Sequence, residues 1–377
     1  PTIFRTYTGA TFGIELCEDV WAPEPPSTRL CLSGADIIFN LSASDELIGK
    51  HNYLCSLLSQ QSARTMSGYV YSSSGFGEST QDLVYGGNAL IYENGNEVAS
   101  SERFSFESQM VVAQIDYEML RAERRNNTTF INAQRPTSLS HTLPQVRFIN
   151  CHSTQIRDFV LERYVNPTPF IPASADMKES CEEIFNIQVA GLAKRLVHTN
   201  CNTVVIGISG GLDSTLALLV CVKTFDKLKL PRTGIVGVTM PGFGTTDRTY
   251  TNAMTLMKEL GISIREISIR DACIQHFKDL DHDINVHDVT YENGQARERT
   301  QILMDLSNKL NGMVIGTGDL SELALGWATY NGDHMSMYGV NVSIPKTLIK
   351  YMVTYVADYE VEKECHDVLV DIIDTPI

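Results

Sequence analysis

Hydrophobic and polar positions along the chain fall into two regimes: short strand-like runs cut by glycine and proline in the first hundred residues, then strand and helix patterns in alternation. Thr11-Phe-Gly-Ile-Glu-Leu16 is a short apolar strand pattern, and the prolines at 23, 25 and 26 forbid its continuation. Asp36 to Leu41 predicts a second strand, after which Ser44 is placed to cap a helix from Asp45 to about Met66. Gly68 to Tyr71 predicts a further strand. Gly87 to Ser100 predicts a hairpin turning at Asn94-Gly95, the pair that a type I′ turn favours. From Arg121 the period lapses, with prolines at 136, 144, 167, 169 and 172, so 126–172 is expected to be a linker. Behind Asp176, Ile184, Ile187, Leu192 and Leu196 recur at helical spacing. Strand patterns at Thr203–Gly207, Gly234–Met240, Ile262–Ser268 and Met313–Thr317 then alternate with helices, among them Thr246–Leu260. That rhythm predicts an α/β fold with a parallel sheet, right-handed crossovers, and a ligand beyond the carboxyl ends of the strands.

Composition narrows the class. At 377 residues and 43% hydrophobic content the chain has the size of two domains. A net charge of −15 argues against a general nucleic-acid surface, so no nucleic-acid partner is expected. No apolar run is long enough to span a bilayer, and no membrane partner is expected. Nine cysteines without a Cys-x-x-Cys pair suit a reducing compartment, so the expected location is cytoplasmic and the Asn-x-Ser/Thr matches at Asn40, Asn126, Asn127 and Asn341 read as chance. A first residue that is proline, and an uncapped end at Asp374-Thr-Pro-Ile377, lead us to expect a piece of a longer protein.

The stretch richest in chemistry is Gly207-Ile-Ser-Gly-Gly-Leu-Asp-Ser214, between a strand pattern and a helix pattern. Glycines let backbone amides approach an oxyanion closely, and the amides of a helix N-terminus carry partial positive charge, so the expected ligand is a phosphate chain. A Walker A loop would need lysine before the final hydroxyl, and a dinucleotide fingerprint would need Gly-x-Gly-x-x-Gly; neither is present. Met240, followed by Pro241-Gly-Phe-Gly244, sits at another strand end, where a site for adenine is expected. A third strand end carries Thr317 and Glu322, and Asp213 and Glu322 are placed to share a magnesium ion. Asp279 to Asn285 alternates oxygen ligands, but Ile284 and Thr290 stand where a calcium loop needs glycine and glutamate.

The hexapeptide Ser209–Ser214 resembles the pyrophosphate loop of the N-type ATP pyrophosphatases. Glu15-Leu-Cys-Glu-Asp-Val-Trp21, with Asn40-Leu-Ser-Ala-Ser44, Lys50 and Gly77-Glu-Ser-Thr-x-Asp82, resembles the second half of a nitrilase-type glutamine amidase domain. Together with Pro241-Gly-Phe-Gly-Thr-Thr246, Glu292-Asn-x-Gln-Ala-Arg297, Gly316-Thr-Gly-Asp-Leu-Ser-Glu322 and Ile344-Pro-Lys-Thr347, the chain resembles the glutamine-dependent NAD synthetases. The resemblance implies a partial nitrilase-like α/β sandwich over 1–125, the linker 126–172, and a Rossmann-like parallel-sheet ATP pyrophosphatase domain over 173–377 that stops short of the family's C-terminus. It implies that ATP is bound by Gly207, Ile208, Ser209, Gly210, Gly211, Leu212, Asp213, Ser214 and Thr317, with Mg2+ at Asp213 and Glu322. Asn293, Arg297, Glu322, Trp327, Asp333 and Lys346 would contact or neighbour deamido-NAD. Cys17 would be the glutaminase nucleophile, with the Glu18 amide as an oxyanion donor and Ser44 and Lys50 holding glutamine. The family's catalytic glutamate and lysine lie well upstream of this cysteine and have no counterpart in residues 1–16. The implied reaction is ATP-dependent amidation of deamido-NAD, with ammonia taken from glutamine, by a homo-oligomer. Another glutamine-dependent amidating pyrophosphatase, or a catalytically silent nucleotide-binding protein, remains as an alternative.

Overall fold

A computed structural model describes residues 1–78, 81–135, 146–151, 160–244 and 247–375. Ser79, Thr80, Pro136, Pro144, Thr245, Thr246, Pro376 and Ile377, which figure in the patterns above, lie outside the described residues. The chain divides into two compact units, Pro1–Val165 and Asn166–Ile377.

The first unit contains β1 (Thr2–Arg5), β2 (Thr11–Leu16), α1 (Pro26–Leu32), β3 (Ile37–Ser42), α2 (Lys50–Thr65), β4 (Gly68–Ser73), β5 (Ala89–Glu93), β6 (Asn96–Ser100), α3 (Tyr117–Asn126), α4 (Thr128–Ala133) and β7 (Arg147–Asn150). The strands form one sheet in the order β6-β5-β4-β3-β2-β1-β7. β2, β3 and β4 are parallel, whereas β1, β5 and β6 join antiparallel. Because strand side chains alternate faces, Ile38, Tyr69 and Tyr71 point into a core with Leu30, Leu54 and Leu58 of α1 and α2. The opposite face is also apolar, with Phe12 edge-on to Phe39, yet Ile14, Leu16 and Leu41 there stay exposed. The Asn94-Gly95 turn has the expected paired positive φ, 48° and 89°.

Two expectations change. Ser44 does not cap α2: its amide donates to Ser73 Oγ, and Asp45 bridges to Tyr85 and holds Lys50 Nζ. Helix therefore begins only at Lys50, after Gly49 at φ 82°. The stretch 126–172 carries α4 and β7, and β7 pairs with β1 in the sheet. That pairing joins residues over a hundred positions apart, so it leaves no local period to read.

The second unit contains α5 (Met177–Thr199), β8 (Val204–Gly207), α6 (Leu212–Leu228), β9 (Ile235–Thr239), α7 (Asp247–Glu259), β10 (Ser263–Glu266), α8 (Arg270–Asp279), α9 (Val289–Leu310), β11 (Met313–Gly316), α10 (Leu320–Leu325), β12 (Tyr338–Gly339), α11 (Lys346–Tyr359) and α12 (Lys363–Ile373). Its five strands are parallel in the order β10-β9-β8-β11-β12. Alternation again sets the layers: Val204 and Ile206 join the core with α5, α6, α7, α11 and α12, while Val205 joins Val236, Val238 and the aromatic face of α8 and α9. α6 is buried without a break from Ser214 to Val222, which requires helices on its far side, and α5 and α11 supply them. No helix of the described residues is long and apolar enough to cross a membrane.

Candidate functional site

The strand order reverses between β8 and β11. From β8 the chain moves outward to β9 and β10, whereas β11 returns to the other side of β8, so the loops leaving β8 and β11 diverge and open a crevice. A cavity of about 680 Å3 lies there, lined by Gly207, Ile208, Ser209 and Ser214 after β8, Met240 after β9, and Thr317 after β11. Asp333 also lines it.

The β8–α6 loop is held by its own side chains. Ser209 Oγ accepts the Gly211 amide at 3.2 Å and lies 3.1 Å from Ser214 Oγ, which donates to Gly211 O at 3.0 Å. α6 then starts at Leu212 with no side-chain cap, so the amides of Leu212, Asp213 and Ser214 have no intrahelical acceptor. Gly210 has φ 84°, and a Cβ there would meet Thr249 O at 2.2 Å. Gly211 is different: at φ −89° its nearest neighbour to a Cβ is Ser209 Oγ at 3.5 Å. The loop's need for glycine is therefore concentrated at Gly210.

Beside the loop, single carboxylate oxygens of Asp213, Asp319 and Glu322 all come within 4.8 Å of one another. Asp319 is fully buried and caps α10, accepting the Glu322 amide at 2.8 Å while its own amide donates to Glu322 Oε2 at 3.2 Å. Lys346 Nζ is hydrogen-bonded to Asp213 Oδ2 and lies 3.7 Å from Asp319 Oδ2. Burial pushes the Asp213 carboxyl above its ordinary pKa, against the pull of the Lys346 ammonium. Burial raises Glu322 too, against the hydrogen bond it accepts from the Asp319 amide. Burial works against the Lys346 ammonium, but the surrounding carboxylates outweigh it and raise its pKa. One ammonium thus faces three carboxylates. Asp213 Oδ1 and Asp319 Oδ2 are buried without a hydrogen-bond partner, and an all-oxygen donor set of this kind fits a hard divalent cation.

Four other residues named from sequence lie on α9 and on the loop after α10 that it holds. Asn293 Oδ1 accepts from Thr329 Oγ1 at 2.8 Å, Arg297 Nε donates to Tyr330 O at 3.1 Å, and Asp333 Oδ1 accepts the Thr329 amide at 2.7 Å. Here α9 holds the loop after α10. Trp327 follows the end of α10 and is 77% exposed, so its indole is open to a ligand. Two residues that the sequence reading omitted stand at the centre. Asp319 is one. Asn341 is the other: it is fully buried and donates from Nδ2 to Asp213 O at 2.9 Å and to Thr317 O at 3.1 Å, tying the two diverging loops together. Its only sequence signal was the chance Asn-x-Ser match, and a buried amide with these bonds has no room for a glycan.

In the first unit Cys17 opens a short 3-10 helix, Cys17–Trp21, at φ 42°, a left-handed conformation that is uncommon outside glycine. That bend turns the half-buried thiol into an open groove of about 580 Å3 lined by Leu16, Leu41, Ser42, Ala43 and Ser72 to Ser74. Asn40 Nδ2 donates to Cys17 O at 3.4 Å and to Tyr69 OH at 3.2 Å. Tyr69 in turn donates to buried Glu15, so Glu15 is engaged behind the bend, with its other oxygen accepting the Ser27 amide at 2.7 Å. Lys50 sits against Asp45 at 2.7 Å and over the Trp21 ring, and neither Ser44 nor Lys50 lines the groove.

Residues 184–359 match the family model described as NAD synthase. The chain is 41% identical over 98% of its length to a glutamine-dependent NAD(+) synthetase of Mycobacterium leprae, and 30% identical over 89% to one of Thermotoga maritima. In both cases it covers 55% of the relative, so the chain spans about half the length of the curated relatives it matches. A solved glutamine-dependent NAD+ synthetase from Acinetobacter baumannii, in complex with ADP, aligns at TM-score 0.49 and 22% identity, over 99% of this chain and 60% of that one. The chain is thus similar to glutamine-dependent NAD(+) synthetases over nearly its whole length, and residues 184–359 carry the match to the NAD synthase family model.

Proposed function

We propose that the second unit adenylates the nicotinate carboxylate of deamido-NAD with ATP and lets ammonia displace AMP to give NAD, the ammonia coming from glutamine at Cys17. The observation that carries this reading is the meeting of an uncapped helix N-terminus and a three-carboxylate cluster at the reversal of a parallel sheet. Amides of Gly210 to Ser214, with the Ser209, Ser214 and Thr317 hydroxyls, bind the phosphates. Asp213, Asp319 and Glu322 would hold Mg2+, which neutralises phosphate charge when bound. The resemblance to the family supports Asn293, Arg297, Trp327 and Asp333 as deamido-NAD contacts, with Trp327 free to stack on a pyridine ring. Lys346, already beside Asp213, is placed to meet charge developing at the reacting carboxylate and the α-phosphate. The carboxylate oxygen bonds to the α-phosphorus as the bond to pyrophosphate breaks. Ammonia then bonds to the carbonyl carbon and AMP leaves with that oxygen.

The test is deamido-NAD labelled with heavy oxygen in its carboxylate, supplied with ATP, Mg2+ and ammonia. The expected result is pyrophosphate release with label in AMP. ADP and labelled inorganic phosphate would refute adenylation, and equal turnover with xanthosine monophosphate or aspartate in place of deamido-NAD would refute the substrate assignment. No turnover with any acceptor would leave only nucleotide binding.

The phosphate loop gives a sharper check. Gly210→Ala should weaken ATP binding at least ten-fold, since a side chain at φ 84° costs of order 1–3 kcal/mol before the clash with Thr249 O is counted. Gly211→Ala should cost much less. Equal tolerance at both positions, measured by ATP titration with the fold confirmed by circular dichroism, would return the loop to an ordinary turn.

A further inference from the structure

The nucleotide cavity contains a cation that, among the described residues, has no direct ion-pair partner. α9 presents Tyr291, Gln295, Arg299 and Leu303 to the cavity at four-residue spacing. Arg299 donates from Nε to Met240 O at 3.5 Å and, among the described residues, no carboxylate lies within 4.0 Å of it. Asp333 and Glu292 share the cavity; Asp333 acts on the guanidinium only at a distance, and neither forms an ion pair with it. Elsewhere the partly buried arginines are matched: Arg103 to Glu46, Arg121 to Asp36, Arg163 to Glu93. Burial holds the Arg299 pKa below the usual guanidinium value, outweighing the more distant pull of Cys273 and Asp333, so the cation has lost more to desolvation than its neighbours return. The surroundings are built to admit it. A Cβ on Gly242 would come within 2.7 Å of Arg299 Nη2 and 2.8 Å of Gln295 Oε1, so glycine leaves the guanidinium its place. Gln295 is itself committed, accepting the Phe243 amide at 3.3 Å and donating to Tyr291 O at 3.2 Å.

We propose that Arg299 is a nucleotide-contacting residue whose guanidinium packs on the purine base of ATP; this rests on the reading that the cavity takes ATP. Two features favour the base over the phosphates. The amides and hydroxyls at Ser209 to Ser214 already supply the phosphate end, beyond β8. Arg299 is instead tied to the exit of β9, near the apolar and aromatic side chains of Met240, Phe243, Tyr291 and Leu303 that line the cavity. A guanidinium is planar, weakly hydrated and stacks on aromatic faces, so a desolvated one beside these side chains is suited to a purine.

The test compares ATP with inorganic tripolyphosphate, both with Mg2+, for the unaltered chain, Arg299→Met and Arg299→Lys. Arg299→Met should bind ATP about ten-fold more weakly and tripolyphosphate within two-fold of the unaltered chain, the weakening corresponding to loss of one desolvated cation–π contact. Arg299→Lys keeps the charge without the plane; it should show an intermediate loss for ATP alone, and it decides the matter if the methionine variant fails to fold. Equal losses for both ligands would make Arg299 a phosphate contact and overturn the assignment to the base, as would unchanged ATP affinity. Failure of the unaltered chain to bind ATP would overturn the reading of the cavity, not merely the role of Arg299.

Discussion

Asp213→Ala should reduce NAD synthesis by roughly 10³-fold or more with ammonia as the nitrogen donor, and equally with glutamine. Asp213 is the one residue shared by the two features of the site: it lies in the first turn of α6, where the phosphate loop ends, and it offers an unpartnered oxygen to the carboxylate cluster. A divalent cation contributes several kcal/mol of charge stabilisation to phosphoryl transfer, and each 1.36 kcal/mol is a factor of ten in rate. Its removal also leaves Lys346 without the carboxylate that now holds it. Fold should survive, because the side chain lies at the edge of the cleft outside the apolar core. Protonation gives a second handle with a definite sign. Burial raises the pKa of both Asp213 and Glu322, so protons compete with the cation from a higher pH than at ordinary carboxylates, and Mg2+ affinity should weaken as pH falls. The decisive measurement is the ammonia-driven rate of the variant across a Mg2+ titration. An unchanged rate would remove Asp213 from the mechanism and leave the cluster without a function.

What sequence revealed here depended on whether the cause was local. The β8–α6 loop was legible because glycine, serine and aspartate at a strand-to-helix junction act on their own backbone, and the side-chain bonds among Ser209, Gly211 and Ser214 are within five residues. Sequence did not rank its two glycines: only the approach of Thr249 O, 39 residues on, makes Gly210 the demanding one. Asp319 escaped notice because Asp-x-x-Glu is also an ordinary way to begin a helix, and it does begin α10. Asn341 escaped because its partners, Asp213 O and Thr317 O, are brought to it by the sheet order. Lys346 was singled out from a motif as a substrate contact, yet its present partner is 133 positions away in sequence. Ser44 shows the reverse failure: a good local cap has no helix to cap, because α2 starts only at Lys50 while the Ser44 amide is bonded to Ser73 Oγ.

Cys17→Ala should divide the two nitrogen sources. In a protein extended to the length of its relatives, glutamine-driven synthesis should fall by at least the 10²- to 10⁴-fold that acid–base and nucleophilic groups contribute, while ammonia-driven synthesis stays within about two-fold. The ground for this is geometric. Cys17 stands at a left-handed bend in the first unit, on a groove of its own, whereas the phosphate loop and carboxylate cluster belong entirely to the second. The strained bend is what a thiol in solvent reach requires and what a buried packing cysteine, such as Cys31 or Cys221, does not. The chain as given should hydrolyse glutamine poorly, since residues 1–16 hold no counterpart of the family's upstream base and lysine; Glu15 is buried against Tyr69 and Ser27, away from that role. Glutamine hydrolysis and NAD formation are therefore to be followed separately, with each donor, in both proteins. Equal loss with glutamine and ammonia would sink the division of labour, and brisk glutaminase activity from the present chain would show that the base of Cys17 lies among the residues described above.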